Sequence, residues 1–82
     1  MTTKQISIGI DLDSTILARV VQAANKYKSQ ISFECGQRFA NAKSIMGVMS
    51  LNLSAEKFIT ANADGIDEEA ALSEMNKMFN SY

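Results

Sequence analysis

The sequence contains no histidine, no proline and no tryptophan, and its single cysteine is Cys35. Without histidine the chain lacks the usual general base near neutral pH, the phosphohistidine route of group transfer and the commonest metal ligand. One cysteine excludes an intrachain disulfide. The start shows no basic segment followed by an apolar run, the mark of a secretory signal, so the reducing cytoplasm is the expected compartment. The most apolar stretch, Ile45 to Leu51, is broken by Gly47 and Ser50 and falls far short of the roughly 20 residues a membrane helix needs. Charge of one sign is scarce too. Eight basic and nine acidic residues sum to a formal charge of -1, which supplies no field to hold nucleic acid or an anionic membrane. The acidic stretch Asp64 to Glu69 has no metal-ligand spacing, so neither a metal nor a cofactor is expected.

What remains is 82 residues at 46% hydrophobic, enough for one small domain over residues 1–82 and too few for two. Such a chain buries only about 60 to 65% of the surface its unfolded form exposes, so its core is modest. No linker, repeat or low-complexity run divides it.

Residues Gln5 to Ile10 alternate, with Ile6, Ile8 and Ile10 on one face, which predicts a half-buried strand. From Ser14 to Lys26, Ile16, Leu17, Val20, Val21 and Ala24 recur at helical spacing while Arg19, Gln22 and Asn25 face away. Asp13 or Ser14 can cap this helix. Period two returns at Ile31, Phe33 and Cys35. Gly36-Gln37 then makes a two-residue loop, suited to a type II′ turn, into a strand over Arg38 to Asn41. Ser44 caps a short helix over Ile45 to Leu51, in which Ile45, Met46, Val48 and Met49 cannot all turn inward. A last strand runs from Phe58 to Ala63. After it, Asp67 caps a helix with the stripe Ala71, Leu72, Met75, Met78, Phe79 and Tyr82. The order β-α-β-β-α-β-α predicts an α+β fold: a four-stranded antiparallel sheet with helices on one face and the other face wet.

Two stretches carry chemical signals. The first, Ile8 to Thr15, reads D-x-D-x-T after a strand and resembles the first motif of the haloacid dehalogenase phosphatases, which would make Asp11 the nucleophile and Asp13 the acid and base. That family needs a larger parallel sheet than this chain can supply, and the bland alternative is a strand end running into a helix cap.

The second is Asn41-Ala42-Lys43-Ser44-Ile45-Met46-Gly47-Val48-Met49-Ser50-Leu51. With the order of elements, and with Ala24 to Tyr27, Ser29, Glu34 and Ala63 to Glu68 at matching spacings, it resembles the HPr phosphocarriers over roughly residues 4–80. The likeness is greatest to their catabolite-repression branch. The resemblance implies the HPr-like open-faced sandwich and a role in the bacterial sugar phosphotransferase system, without enzymatic activity of its own. The family's phosphorylation centre reads Gly-Leu-His-x-Arg-Pro-Ala, where this chain has Asp11-Leu12-Asp13-Ser14-Thr15-Ile16-Leu17. Asp13 thus stands at the place of the phosphorylated histidine, Thr15 at that of the supporting arginine and Ile16 at that of the proline.

By the same resemblance Ser44 is the regulatory serine modified by HPr kinase/phosphorylase, and Lys43, Ser44, Ile45, Met46 and Met49 form the surface that partners read. A phosphate at a helix N-cap lies beside free N–H groups, which makes a capping serine a physically sensible switch. Two functions stay open. One is a regulatory protein, phosphorylated at Ser44 and bound by a catabolite control transcription regulator or another protein. The other is a divergent phosphocarrier that takes a phosphoryl group from enzyme I at Asp13.

Overall fold

The structure is a computed structural model, and it describes residues 1–80; the predicted stripe position Tyr82 lies outside the described residues. Four strands, β1 (Thr2–Ser7), β2 (Gln30–Cys35), β3 (Arg38–Asn41) and β4 (Phe58–Asp64), join three helices, α1 (Ser14–Ala24), α2 (Ile45–Ser50) and α3 (Glu68–Asn80). A single 3-10 turn over Leu53–Ala55 follows α2; no sequence signal had marked it. The sheet is antiparallel throughout, in the order β1-β4-β2-β3. Helix α3 lies on β1, β4 and β2, α2 lies on β3, and α1 packs against both α2 and α3.

Period two in β2 and β4 is what makes this sheet one-sided. Ile31, Phe33 and Cys35 are buried with Ile59, Ala61 and Ala63, while Ser32, Glu34, Thr60 and Asn62 face the uncovered side. Across that open face the Asn62 side-chain amide donates to Glu34 at 3.0 Å and accepts from the Thr3 hydroxyl at 2.8 Å, so polar cross-strand pairs tie three strands where no core exists. At the centre of the covered face the rings of Phe33 and Phe79 meet edge to face at 5.6 Å, joining β2 to α3. The D-x-D-x-T resemblance fails here, because every strand pair is antiparallel and the first aspartate of the motif lies four residues beyond the end of β1.

Helix α2 ends one residue earlier and β4 one residue later than the sequence reading, and larger differences fall at β1, at the end of α1 and at the cap of α3. The first strand occupies Thr2–Ser7, not Gln5 to Ile10: its register with β4 ends at Ser7 opposite Phe58, and Ile8 and Ile10 continue as a loop packed on the rim of the core. Helix α1 stops at Ala24 rather than Lys26, because the Asn25 side chain turns back to the Val21 carbonyl at 2.8 Å and caps the end. Asp67 offers its backbone carbonyl to the first turn of α3, but its carboxylate leaves the helix. It accepts from the Lys28 and Ser29 amides, each at 2.9 Å, and from the Ser29 hydroxyl. The side-chain contact to the turn before α3 comes instead from Glu68, which accepts from the Gly65 N–H at 3.1 Å.

Candidate functional site

Helix α2 begins where the sequence predicts. Ser44 has extended backbone angles, and its hydroxyl oxygen accepts from the Gly47 N–H at 3.3 Å while remaining exposed. The chain enters this cap through a side-chain turn in which Asn41 accepts from the Lys43 N–H at 2.9 Å. Of the four apolar residues that could not all face inward, Val48 is fully buried and Ile45 packs on the rim of the core. Met46 is 78% and Met49 41% exposed. Two thioethers therefore stand in solvent on a six-residue helix, an arrangement suited to an adaptable contact surface.

Lys43 is less available than its place beside Ser44 suggests. Its ammonium donates to the Tyr27 carbonyl at 2.8 Å, and its own carbonyl accepts from the Asn25 amide at 3.2 Å. These bonds fasten the entry of α2 to the end of α1, where a cation also suits the negative end of the helix dipole.

Asp13 is the N-cap of α1. Its carboxylate accepts from the Ile16 N–H at 2.9 Å, and its backbone carbonyl accepts from Leu17 at 3.0 Å. Asp11, Asp13, Ser14 and Thr15 are exposed around the buried Leu12. The loop leading to them is held at Gly9, whose N–H donates to the Phe79 carbonyl at 3.0 Å. A Cβ at Gly9 would meet the tip of the exposed Asn80 side chain, Oδ1 at 2.7 Å, which can swing aside, while the Asn80 backbone stays at 3.8 Å. Among the described residues no three His, Cys, Asp or Glu side chains converge to hold a metal. A groove of about 530 Å³ lies on the open sheet face among Gln30, Ser32, Phe39, Asn41 and Asn62; none of Asp11 to Thr15 lines it.

Asp13 and Ser44 sit at opposite ends of α1. Asp13 starts the helix, whereas the entry to Ser44 is pinned to its last residues by Asn25 and Lys43.

Residues 4–81 match the family model described as the PTS HPr component phosphorylation site. The chain belongs to the HPr family. Among curated relatives, the HPr-like protein Crh of Halalkalibacterium halodurans is 38% identical over 74 residues, 88% of each chain. The crystal structure of HPr-C-His from Thermoanaerobacter tengcongensis superposes with a TM-score of 0.90 at 37% identity, covering 99% of this chain and 93% of that one. The catabolite repression protein Crh of Bacillus subtilis, solved as a swapped, intertwined dimer, gives a TM-score of 0.76 at 36% identity over 90% of this chain and 83% of that one. HPr and Crh proteins are phosphocarriers and regulators rather than enzymes. No helix among the described residues is long and apolar enough to cross a membrane.

Within this HPr-family chain the structure adds residues to the α2 surface that the sequence reading left out. Arg38, on the far side of the β2-β3 turn, donates to the Leu51 carbonyl at 2.9 Å and the Ser50 carbonyl at 3.4 Å, closing the other end of α2. Asn52 follows with a φ of 54°, the left-handed residue that ends such a helix. Cys35, opposite Arg38 in the hairpin, is buried; desolvation pushes its thiol pKa up, with the nearby Glu56 acting in the same direction. Tyr27 is likewise raised, first by burial and then by the charges of Glu74 and Asp67.

Proposed function

We propose that this chain is a single-domain regulatory HPr of the sugar phosphotransferase and carbon catabolite repression system, switched by phosphorylation of Ser44. HPr kinase/phosphorylase is the proposed modifying enzyme. The Ser44 oxygen attacks the γ-phosphorus of ATP, ADP leaves, and the hydroxyl proton passes to the kinase. A catabolite control transcription regulator, or another protein that recognises the same surface, then reads phosphoserine together with Ile45, Met46 and Met49. Lys43 joins this contact by exchanging the Tyr27 carbonyl for the new phosphate. The observation that carries the reading is the exposed Ser44 hydroxyl at a helix N-cap beside a 78% exposed methionine.

Two further facts support it. The chain has no histidine to carry a phosphoryl group, and Asp13 serves helix α1 as an ordinary capping carboxylate. Thr15, where the family has an arginine, offers no charge to offset an acyl phosphate.

The test is intact mass after incubation with HPr kinase/phosphorylase and ATP. One added phosphate in the wild type and in Asp13→Ala, absent from Ser44→Ala, is the expected result; no added mass in any of them overturns it. Incubation with enzyme I and labelled phosphoenolpyruvate separates the carrier reading. A hydroxylamine-sensitive label lost in Asp13→Ala would show phosphoryl transfer through Asp13 instead.

A further inference from the structure

Six residues are too few to hold a helix on their own, so α2 depends on the burial of Val48 and Leu51 and on what caps its two ends. The N-terminal end has Ser44, Asn41 and the Lys43 and Asn25 bonds to α1. At the C-terminal end the Ser50 hydroxyl donates to the Gly47 carbonyl at 2.7 Å, and one further side chain comes from elsewhere in the fold. Gly36, at a φ of 64°, lets the hairpin reverse in two residues and sets Arg38 directly opposite Cys35. From there the guanidinium reaches both the Leu51 and Ser50 carbonyls, two acceptors the helix itself cannot satisfy. Met49 lies in this last turn, one residue before Ser50, and is 41% exposed.

We infer that Arg38 is a positioning residue for the docking surface of α2: by clamping the last turn it sets where Met49 is presented, while leaving the Ser44 cap to other groups. This rests on the reading of Ser44 as a site modified by HPr kinase/phosphorylase. A planar fork of fixed charge suits the task, since it spans two adjacent carbonyls and cannot lose its proton. The two ends of α2 are thereby assigned separate duties. Ser44 supplies the reacting oxygen, and Arg38 holds the apolar contact that seats it on a partner.

The experiment compares wild type, Arg38→Gln and Arg38→Lys in full-length form, by steady-state phosphorylation with HPr kinase/phosphorylase and by amide hydrogen exchange. Arg38→Gln should raise KM roughly three- to ten-fold with kcat within about two-fold, as expected for loss of a charged cap that does not touch the reacting group. Arg38→Lys, keeping charge and one donor, should recover part of the change. Exchange at the Leu51 and Asn52 amides, which bond to Val48 and Met49, should quicken while Gly47 at the Ser44 cap stays as in wild type. An unchanged KM, a fall confined to kcat, or exchange that quickens equally at both ends of α2 overturns the inference. If wild type takes no phosphate at Ser44, the functional reading fails by itself. The exchange data then decide the clamp: quickening at Leu51 and Asn52 alone upholds it, and any other pattern overturns it. Should Arg38→Gln not fold, the same criteria apply to Arg38→Lys, with a smaller change in the same direction.

Discussion

The Asp67 carboxylate holds Ser29 from two sides, accepting from its backbone N–H at 2.9 Å and from its hydroxyl. Ser29 is fully buried and lies 38 residues away in sequence, so this contact bolts the α1-β2 loop to the start of α3. The Ser29 hydroxyl, followed by the Lys28 and Ser29 amides, stabilises the charged form and lowers the Asp67 pKa from 3.8 to about 2.

Because the folded pKa lies below the ordinary value, this carboxylate stabilises the fold above about pH 4. That contribution fades as pH falls towards about 2. Asp67→Asn should therefore melt well below wild type at pH 7, with the gap narrowing steadily as the two proteins are compared at lower pH. A gap independent of pH would show that the amide loses shape rather than charge.

Gly65 presses on the same serine. A Cβ there would stand 2.6 Å from Ser29 Cα and 2.6 Å from its Oγ, contacts that neither backbone nor a buried hydroxyl can relieve. Gly65→Ala should cost about 3 kcal/mol in urea unfolding, the upper part of the usual range for an overpacked site. Gly36→Ala meets no atom within 4 Å and should show only the smaller penalty of a positive φ, about 1 kcal/mol.

The two faces of α2 predict opposite phenotypes. Val48 is fully buried, so Val48→Ala should lose about 2 kcal/mol of stability through the cavity it leaves. Met46 is 78% exposed, so Met46→Ser should melt within about 0.5 kcal/mol of wild type yet weaken capture of the phosphorylated protein by the regulator. Thermal melts and a binding titration on the same two variants check both halves. Equal binding by Met46→Ser and wild type would remove Met46 from the partner surface.

Asp13 acts on α1 through one oxygen. Asp13→Ala should cost about 1 kcal/mol by unfolding, the usual worth of a helix cap, and Asp13→Ser should recover most of it. If Asp13→Ser were as unstable as Asp13→Ala, the residue would be holding something other than the Ile16 N–H.

Much of this molecule was legible in the order of its residues, for a local reason. Helical period in 14–24 and 68–80, alternation in β2, the glycine turn at Gly36 and the caps at Asp13 and Ser44 are each decided by groups within four residues of one another. The division of α2 into buried and exposed halves followed as well, since Ile45, Met46, Val48 and Met49 on so short a helix cannot share one face. Only the tertiary structure decided where β1 stops, because the alternation of Ile6, Ile8 and Ile10 runs on past the last β4 residue available to pair with it. The same is true of the bonds that place the site. Asp67 to Ser29, Lys43 to Tyr27 and Arg38 to Leu51 join residues 38, 16 and 13 apart, where the sequence reads Asp67 as a helix cap, Lys43 as a partner contact and Arg38 as the start of a strand. Periodicity and capping report what a residue does for its own element. Which carbonyl or amide a long polar side chain finally reaches is settled by how the elements pack, and no local pattern encodes that choice.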